Sequence, residues 1–251
     1  MTAGPSTSGR AVLVTGALGG IGAAIIEAFV TNGDRVALHH LGEASAASVR
    51  VAEIEATGAD ALAVDADVTS WESVRKMIRV VLDQLGRLDI LVNAAGVVEP
   101  GEFLGTDLEQ WRRTIDVDLT GVFVVSRLAV PAMLSTGGGS IVNVASQLAV
   151  RPAADNAAYS AAKAGVLGLT RAMSRELGPE IRVNAIAPGP VKTPMIAGFA
   201  DAQWVSARTG DLVIGRLAEP AEIAASVLYL ASPSASLMHG QTLHINGGGY
   251  M

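Results

Sequence analysis

The chain of 251 residues contains no cysteine. That excludes disulfides, thiolate zinc sites and a cysteine nucleophile, and it suits a reducing, cytoplasmic setting. Aromatic residues are scarce, with four Phe, three Trp and three Tyr making up 4% of the chain. The core must therefore come from small and aliphatic side chains, which let helices and strands approach closely. Charge is also sparse at 17%, with 18 Lys and Arg against 24 Asp and Glu. No basic block stands out, which argues against a nucleic-acid partner. His239 and His244 lack metal-ligand spacing, so no metal is expected. Disorder would require low hydrophobicity and high charge, whereas mean hydropathy here is +0.40. Such a value points to extensive burial, including surface between subunits. The apolar stretch 10–30 has the outline of a signal peptide, but Gly16, Gly19, Gly20, Gly22 and Glu27 interrupt it. Neither secretion nor a membrane span is expected.

What is present is a rhythm. Short apolar runs occur at 11–15 (AVLVT), 35–39, 61–65, 89–93, 140–146, 181–187 and 242–246, separated by longer stretches, most of them amphipathic. Several runs are almost continuously hydrophobic, as expected of strands buried on both faces of a parallel sheet. The pattern predicts an α/β fold with a doubly wound, Rossmann-type sheet of about seven strands, helices on both faces and right-handed crossovers. Thr69 with Glu72 and Thr106 with Glu109 have capping-box spacing. Pro220 suits the first turn of a helix, and Gly137 to Gly139 should stop the helix running through Trp111 and Phe123, which Pro131 bends near its end. Residues 1–9 read as a polar, mobile leader and 10–251 as one domain. Within it, 188–218 is a long, mixed stretch with the character of a substrate lid.

The first run leads directly into TGALGGIG (15–22) and a helix follows. Gly16, Leu18, Gly19, Gly20, Ile21 and Gly22 thus form a turn where the backbone can approach a phosphate, at a helix start offering free N–H groups and a positive dipole end. The spacing Gly-x3-Gly-x-Gly resembles the short-chain dehydrogenase/reductase family, and the resemblance extends over nearly the whole chain. NAAG (93–96) follows the fourth run, Asp67-Val68 the third and Pro188-Gly189 the sixth. Ser146, Tyr159 and Lys163 reproduce the family's Ser…Tyr-x3-Lys pattern. The resemblance implies a dinucleotide site built from the glycine turn, Asp67, Val68, Asn93, Ala94, Ala95, Gly96, Tyr159, Lys163, Pro188, Gly189, Val191 and Thr193. It further implies that Lys163 holds the nicotinamide ribose, and that the assembly is a homotetramer.

The residue types suit the chemistry. Tyr159 and Lys163 are four apart and share a helix face. An ammonium beside a phenol should lower its pKa from about 10 toward working pH. Such a tyrosine can give a proton to a carbonyl oxygen or take one from an alcohol, while Ser146 orients that oxygen. Asp118 stands where the family often has Asn. A carboxylate there should raise Lys163 and weaken its pull on Tyr159, and the expectation is an active enzyme that tolerates it. The second run ends in His39-His40 rather than in the carboxylate of an NAD-preferring site. Both imidazoles could face a 2′-phosphate, so charge complementarity favours NADP(H) over NAD(H). The expected activity is an NAD(P)-dependent interconversion of a ketone and a secondary alcohol. The small-molecule substrate should be largely apolar and contact Gln147, Met195, Phe199 and Trp204, together with the stretches 97–103 and 147–156. The resemblance suggests a 3-oxoacyl-thioester reductase or a general carbonyl reductase. Arg151 and Arg208 could hold an acidic group, but surface solvation is the favoured reading for both. A non-catalytic cofactor-binding sensor or scaffold would lack the Tyr or the Lys, and an epimerase would carry a longer C-terminal substrate region.

Overall fold

A computed structural model describes residues 9–198 and 200–251. The expected leader, apart from Gly9, therefore falls outside the described residues. Seven strands form one parallel sheet in the order β3-β2-β1-β4-β5-β6-β7. They are β1 (Ala11–Thr15), β2 (Arg35–His40), β3 (Ala61–Asp65), β4 (Ile90–Asn93), β5 (Gly139–Val144), β6 (Ile181–Pro188) and β7 (Thr242–Ile245). All seven apolar runs became strands, with ends shifted by at most two residues. Side chains alternate across the sheet, so β1 sends Ala11 and Leu13 to one core and Val12 and Val14 to the other. The first core is closed by α3 (Trp71–Leu85), α5 (Gly121–Ser135) and α6 (Ala157–Leu177). The second is closed by α1 (Gly20–Thr31), α2 (Ala44–Glu55) and α9 (Pro220–Ala231), through Ile25, Ile26, Phe29, Ile54, Ile223 and Val227.

The helix starts correct two expectations by one residue. Asp67 accepts from both the backbone N–H (2.9 Å) and the hydroxyl (2.7 Å) of Thr69. Thr69 is thereby spent, and Ser70 caps α3 through the N–H of Ser73. Likewise the Thr106 hydroxyl donates to the Glu102 carbonyl, and Asp107 caps α4 (Leu108–Ile115) through the N–H of Gln110 at 2.8 Å. Pro220 does open α9, where the N–H of Glu219 donates to the Glu222 carboxylate.

The long central helix is not uniform. Between α4 and α5, residues Asp116–Thr120 form a π-helical turn. The run Leu108–Ser135 is long and apolar enough, by length and composition, to cross a membrane. In the fold it is a core helix that buries Val122, Val124, Val125, Ala129 and Met133. The stretch 188–218, expected as an irregular lid, carries two short helices, α7 (Pro194–Ala197) and α8 (Ala202–Thr209). It closes on α9 through a bidentate pair between Arg216 and Glu222 at 2.7 and 2.8 Å. Val191 bridges to Ala218 at the base of this excursion.

Candidate active site

The sheet order reverses between β1 and β4, so the loops leaving them diverge and open a crevice at the strands' C-terminal ends. A cavity of about 610 Å³ lies there. Its floor is the glycine turn. Gly16 has φ +65°, a left-handed conformation natural to glycine, and a Cβ on Gly22 would overlap the Gly16 carbonyl oxygen. Thr193 packs on Gly20 so closely that a Cβ there would lie 2.7 Å from its methyl group. Gly19 precedes α1 with no side-chain cap, which leaves the first N–H groups of the helix facing the crevice. These features fit a pyrophosphate: bare backbone, no side chain in the way and a helix N-terminus behind it.

Across the turn, the Thr15 hydroxyl accepts from the N–H groups of Ala94 (3.0 Å) and Ala95 (3.1 Å), tying β1 to the loop after β4. Sequence reasoning overlooked Thr15, because its partners are 79 and 80 residues away. Gly16, Gly19, Gly20, Ile21, Gly22, Ala94, Gly96, Pro188, Gly189, Val191 and Thr193 all border the cavity. Leu18, Asp67, Val68, Asn93 and Ala95 do not. Asn93 faces inward, donating to Asn143 at 2.8 Å and Ser126 at 3.0 Å, so its amide braces neighbouring elements. Val68 packs under Gly121.

The two histidines at the end of β2 are a correction. Both rings are buried. The N–H of Gly16 donates to Nδ1 of His39 at 3.0 Å, so the ring proton sits on Nε2, 2.9 Å from the Ala66 carbonyl. His39 therefore fastens the glycine turn to the end of β3 and has no ring nitrogen left for a phosphate. Burial holds it below its ordinary pKa, although its bond to the Ala66 carbonyl works the other way. His40 accepts from the N–H of Glu43 at 3.2 Å, and its Nδ1 lies 3.4 Å from Asp65.

Opposite the turn stand the three polar residues expected to act together. Ser146 lies two residues past the end of β5 and caps the short turn Gln147–Ala149 by accepting from the N–H of Leu148. Tyr159 and Lys163 sit one turn apart on α6, with the Lys163 ammonium 5.4 Å from the Tyr159 ring centroid. Ser146, Tyr159 and Lys163 all line the cavity. Lys163 is buried and donates to the Val144 carbonyl at 3.2 Å. Its Nζ lies 3.0 Å from Oδ2 of the fully buried Asp118. The other carboxylate oxygen accepts from the N–H of Val97 at 2.8 Å. The π-turn puts Asp118 here, because an extra residue in the turn rotates the side chain inward. Gly96 leaves room for the pair, since a Cβ there would lie 2.9 Å from the Asp118 carboxylate.

The electrostatics differ from expectation in one respect. Burial alone would lower Lys163, but Asp118 and Tyr159 outweigh it and hold the ammonium above its ordinary value, as anticipated. Tyr159 is not lowered. Burial lifts the phenol, Lys163 pulls it down, Asp118 pushes it up again, and Ser146 helps Lys163 too little to reverse the outcome. The phenol is thus held in its protonated form, ready to donate.

Among the residues expected at the substrate, Gln147, Met195 and Trp204 border the cavity, as do Val98, Pro100, Leu148, Asp155 and Asn156. Phe199 lies outside the described residues. Arg151 is pinned by Asp211 and the Gly249 carbonyl. Arg208 is not a free surface cation; it borders the cavity beside Trp204.

A doubly wound parallel sheet, a glycine turn at its switch point and a Tyr–Lys pair facing that turn define a dinucleotide-dependent oxidoreductase fold. The family described as "Enoyl-(Acyl carrier protein) reductase" matches residues 16–250. The chain belongs to the short-chain dehydrogenase/reductase family and is an oxidoreductase of that family. It is 40% identical over 95% of its length to trans-4-hydroxycyclohexanecarboxylate dehydrogenase of Sinomonas cyclohexanicum, covering 92% of that protein. It is 37% identical over 97% of its length to the 3-oxoacyl-[acyl-carrier-protein] reductase FabG of Vibrio cholerae, covering 98% of it. Among solved structures, a variant of actinorhodin polyketide ketoreductase with NADPH superposes with a TM-score of 0.91 at 33% identity, covering 97% of this chain and 98% of that one.

Proposed function

We propose that the protein interconverts a ketone and a secondary alcohol with NADP(H) as hydride carrier, Tyr159 serving as general acid and base. The observation that carries this reading is the Tyr159 phenol, flanked by Ser146 and Lys163 and sharing one cavity with the glycine turn. The nicotinamide cofactor, when bound, supplies the hydride. The chain does the rest. The α1 N-terminus and the bare turn receive the pyrophosphate, and Thr193 and Val191 border the place of the nicotinamide. Ser146 and Tyr159 donate hydrogen bonds to the substrate oxygen and polarise it, and Tyr159 passes its proton to that oxygen as it becomes a hydroxyl. Lys163 stabilises the phenolate left behind, and Asp118 keeps Lys163 charged.

NADP(H) is favoured over NAD(H) because β2 ends without an acidic residue and a structural relative was solved with NADPH. The named relatives act on a hydroxylated ring acid and on a 3-oxoacyl thioester, which supports a small ketone or secondary alcohol as substrate here. Residues 10–251 work as one domain, with 188–218 closing over the substrate through Met195 and Trp204. Apolar side chains left exposed along α4 and α5, Trp111 and Phe123 among them, support a homotetramer.

The test is oxidation of NADPH and NADH, followed by absorbance, with an acetoacetyl thioester and a panel of cyclic ketones. Tyr159→Phe should lose about 10²–10⁴-fold in turnover while still binding cofactor. A variant as active as the parent would remove Tyr159 from the chemistry.

A further inference from the structure

Arg208 is a cation in the cavity that the reaction above leaves unused. It sits in the last turn of α8, four residues after Trp204, and its guanidinium carbon lies 5.5 Å from the Trp204 ring centroid. Both residues border the cavity. Asp201 caps α8 by accepting from the N–H of Trp204 at 2.7 Å, so the stacking partner is itself held in place. Among the described residues no carboxylate pairs with Arg208. Asp118 is taken by Lys163, and Asp211 by Arg151. Asp155, the remaining acid on the cavity wall, forms no ion pair with it.

The rest of the substrate end is largely apolar, lined by Val98, Leu148, Met195 and Ile196, with Gln147, Asp155 and Asn156 as its polar members. An anion entering such a space loses water and needs a charged partner in return. A guanidinium suits that task, being weakly hydrated and offering two parallel donors that match a carboxylate. The cation–π contact with Trp204 holds the guanidinium near the cavity before the ligand arrives, so less freedom is lost on binding.

We infer that Arg208 is a specificity-determining residue that binds a carboxylate on the substrate, selecting oxo- and hydroxy-acids with an apolar skeleton between the acid and the reacting carbon. The inference rests on the ketone–alcohol reading of the same site. A cofactor phosphate is the other anion that could meet this guanidinium, and the test separates the two.

The experiment titrates cyclohexanecarboxylate and its neutral amide into the NADPH-saturated enzyme, followed by calorimetry and by tryptophan fluorescence. Wild type, Arg208→Gln and Arg208→Lys are compared. In wild type the carboxylate should bind at least about tenfold tighter than the amide, the size expected of a charge-assisted pair. Arg208→Gln should abolish that preference and leave NADPH affinity unchanged, and Arg208→Lys should restore part of it. The inference is overturned if wild type binds acid and amide equally or binds no acid. It is also overturned if Arg208→Gln weakens NADPH and spares the acid preference. In parallel, kcat/KM is measured for 4-oxocyclohexanecarboxylate and 4-methylcyclohexanone. If the binding preference is present but neither ketone turns over, the ketone–alcohol reading fails while the role of Arg208 stands.

Discussion

At the residue scale the unusual group is Asp118. A carboxylate buried against Lys163 does two opposed things. It keeps the ammonium charged in a place where burial alone would neutralise it, and it raises the phenol that the ammonium would otherwise lower. With the Tyr159 pKa above its ordinary value, ketone reduction should persist through neutral pH and fail only as pH rises through the raised value. Alcohol oxidation, which needs the phenolate, should rise over that same alkaline range. Asp118→Asn removes the negative charge, so both limbs should move to lower pH; superimposable profiles of kcat/KM would show that Asp118 is not felt at the phenol. Asp118→Ala leaves Lys163 buried without its partner and should cost about 3–5 kcal/mol in urea unfolding, the range found for breaking buried ion pairs.

At the scale of elements, the turn between β1 and α1 is braced from outside. Its glycines let the backbone bend, but His39 fixes where it goes by linking Gly16 to Ala66. His39→Leu would leave the part-buried Gly16 N–H and the buried Ala66 carbonyl unpaired, the carbonyl at about 1–3 kcal/mol and the N–H at less. It should lower stability and weaken NADPH binding together, since the same turn serves both. The folded-state pKa of His39 lies below its value in the unfolded chain, so below about pH 6.5 the unfolded state takes up a proton that the folded state refuses. Stability should be full above that pH and decline as pH falls through it toward the lower folded value. The urea midpoint of His39→Leu should lack this component of the decline; an unchanged pH dependence would assign it to other groups.

On the scale of the whole molecule, a long helix buries one side against the sheet and leaves large apolar side chains among the charged residues of the other. Along it Trp111 is 37% and Phe123 47% exposed, and Phe103 and Leu104 near its start are more open still. The homotetramer proposed above would cover these side chains. Sedimentation should give a tetramer, and Phe123→Glu should shift it toward smaller species. A wild-type monomer would leave these side chains without this explanation.

The sequence by itself determined the strands, the glycine turn and the shared helix face of Tyr159 and Lys163, while Ser146 was singled out by the family resemblance. Each of the first three is a local pattern: strands buried on both faces must be continuously apolar, a phosphate turn must be free of side chains, and residues four apart on a helix must share a face. Only the tertiary structure decided what depends on partners distant in the chain. His39 looked like a phosphate contact until its ring met Gly16 and Ala66. Asn93 looked like part of the cofactor wall until its amide turned toward Asn143. Thr69 and Thr106 had the spacing of helix caps, but Asp67 and Glu102 claimed their hydroxyls first. Asp118 came to Lys163 through a π-turn, which breaks the 3.6-residue periodicity that sequence reading relies on. Arg208 read as a solvated cation because nothing in its local sequence shows that α8 folds back over the cavity. Apolar patterning records where backbone elements form; which polar groups then find each other is set by the geometry those elements adopt.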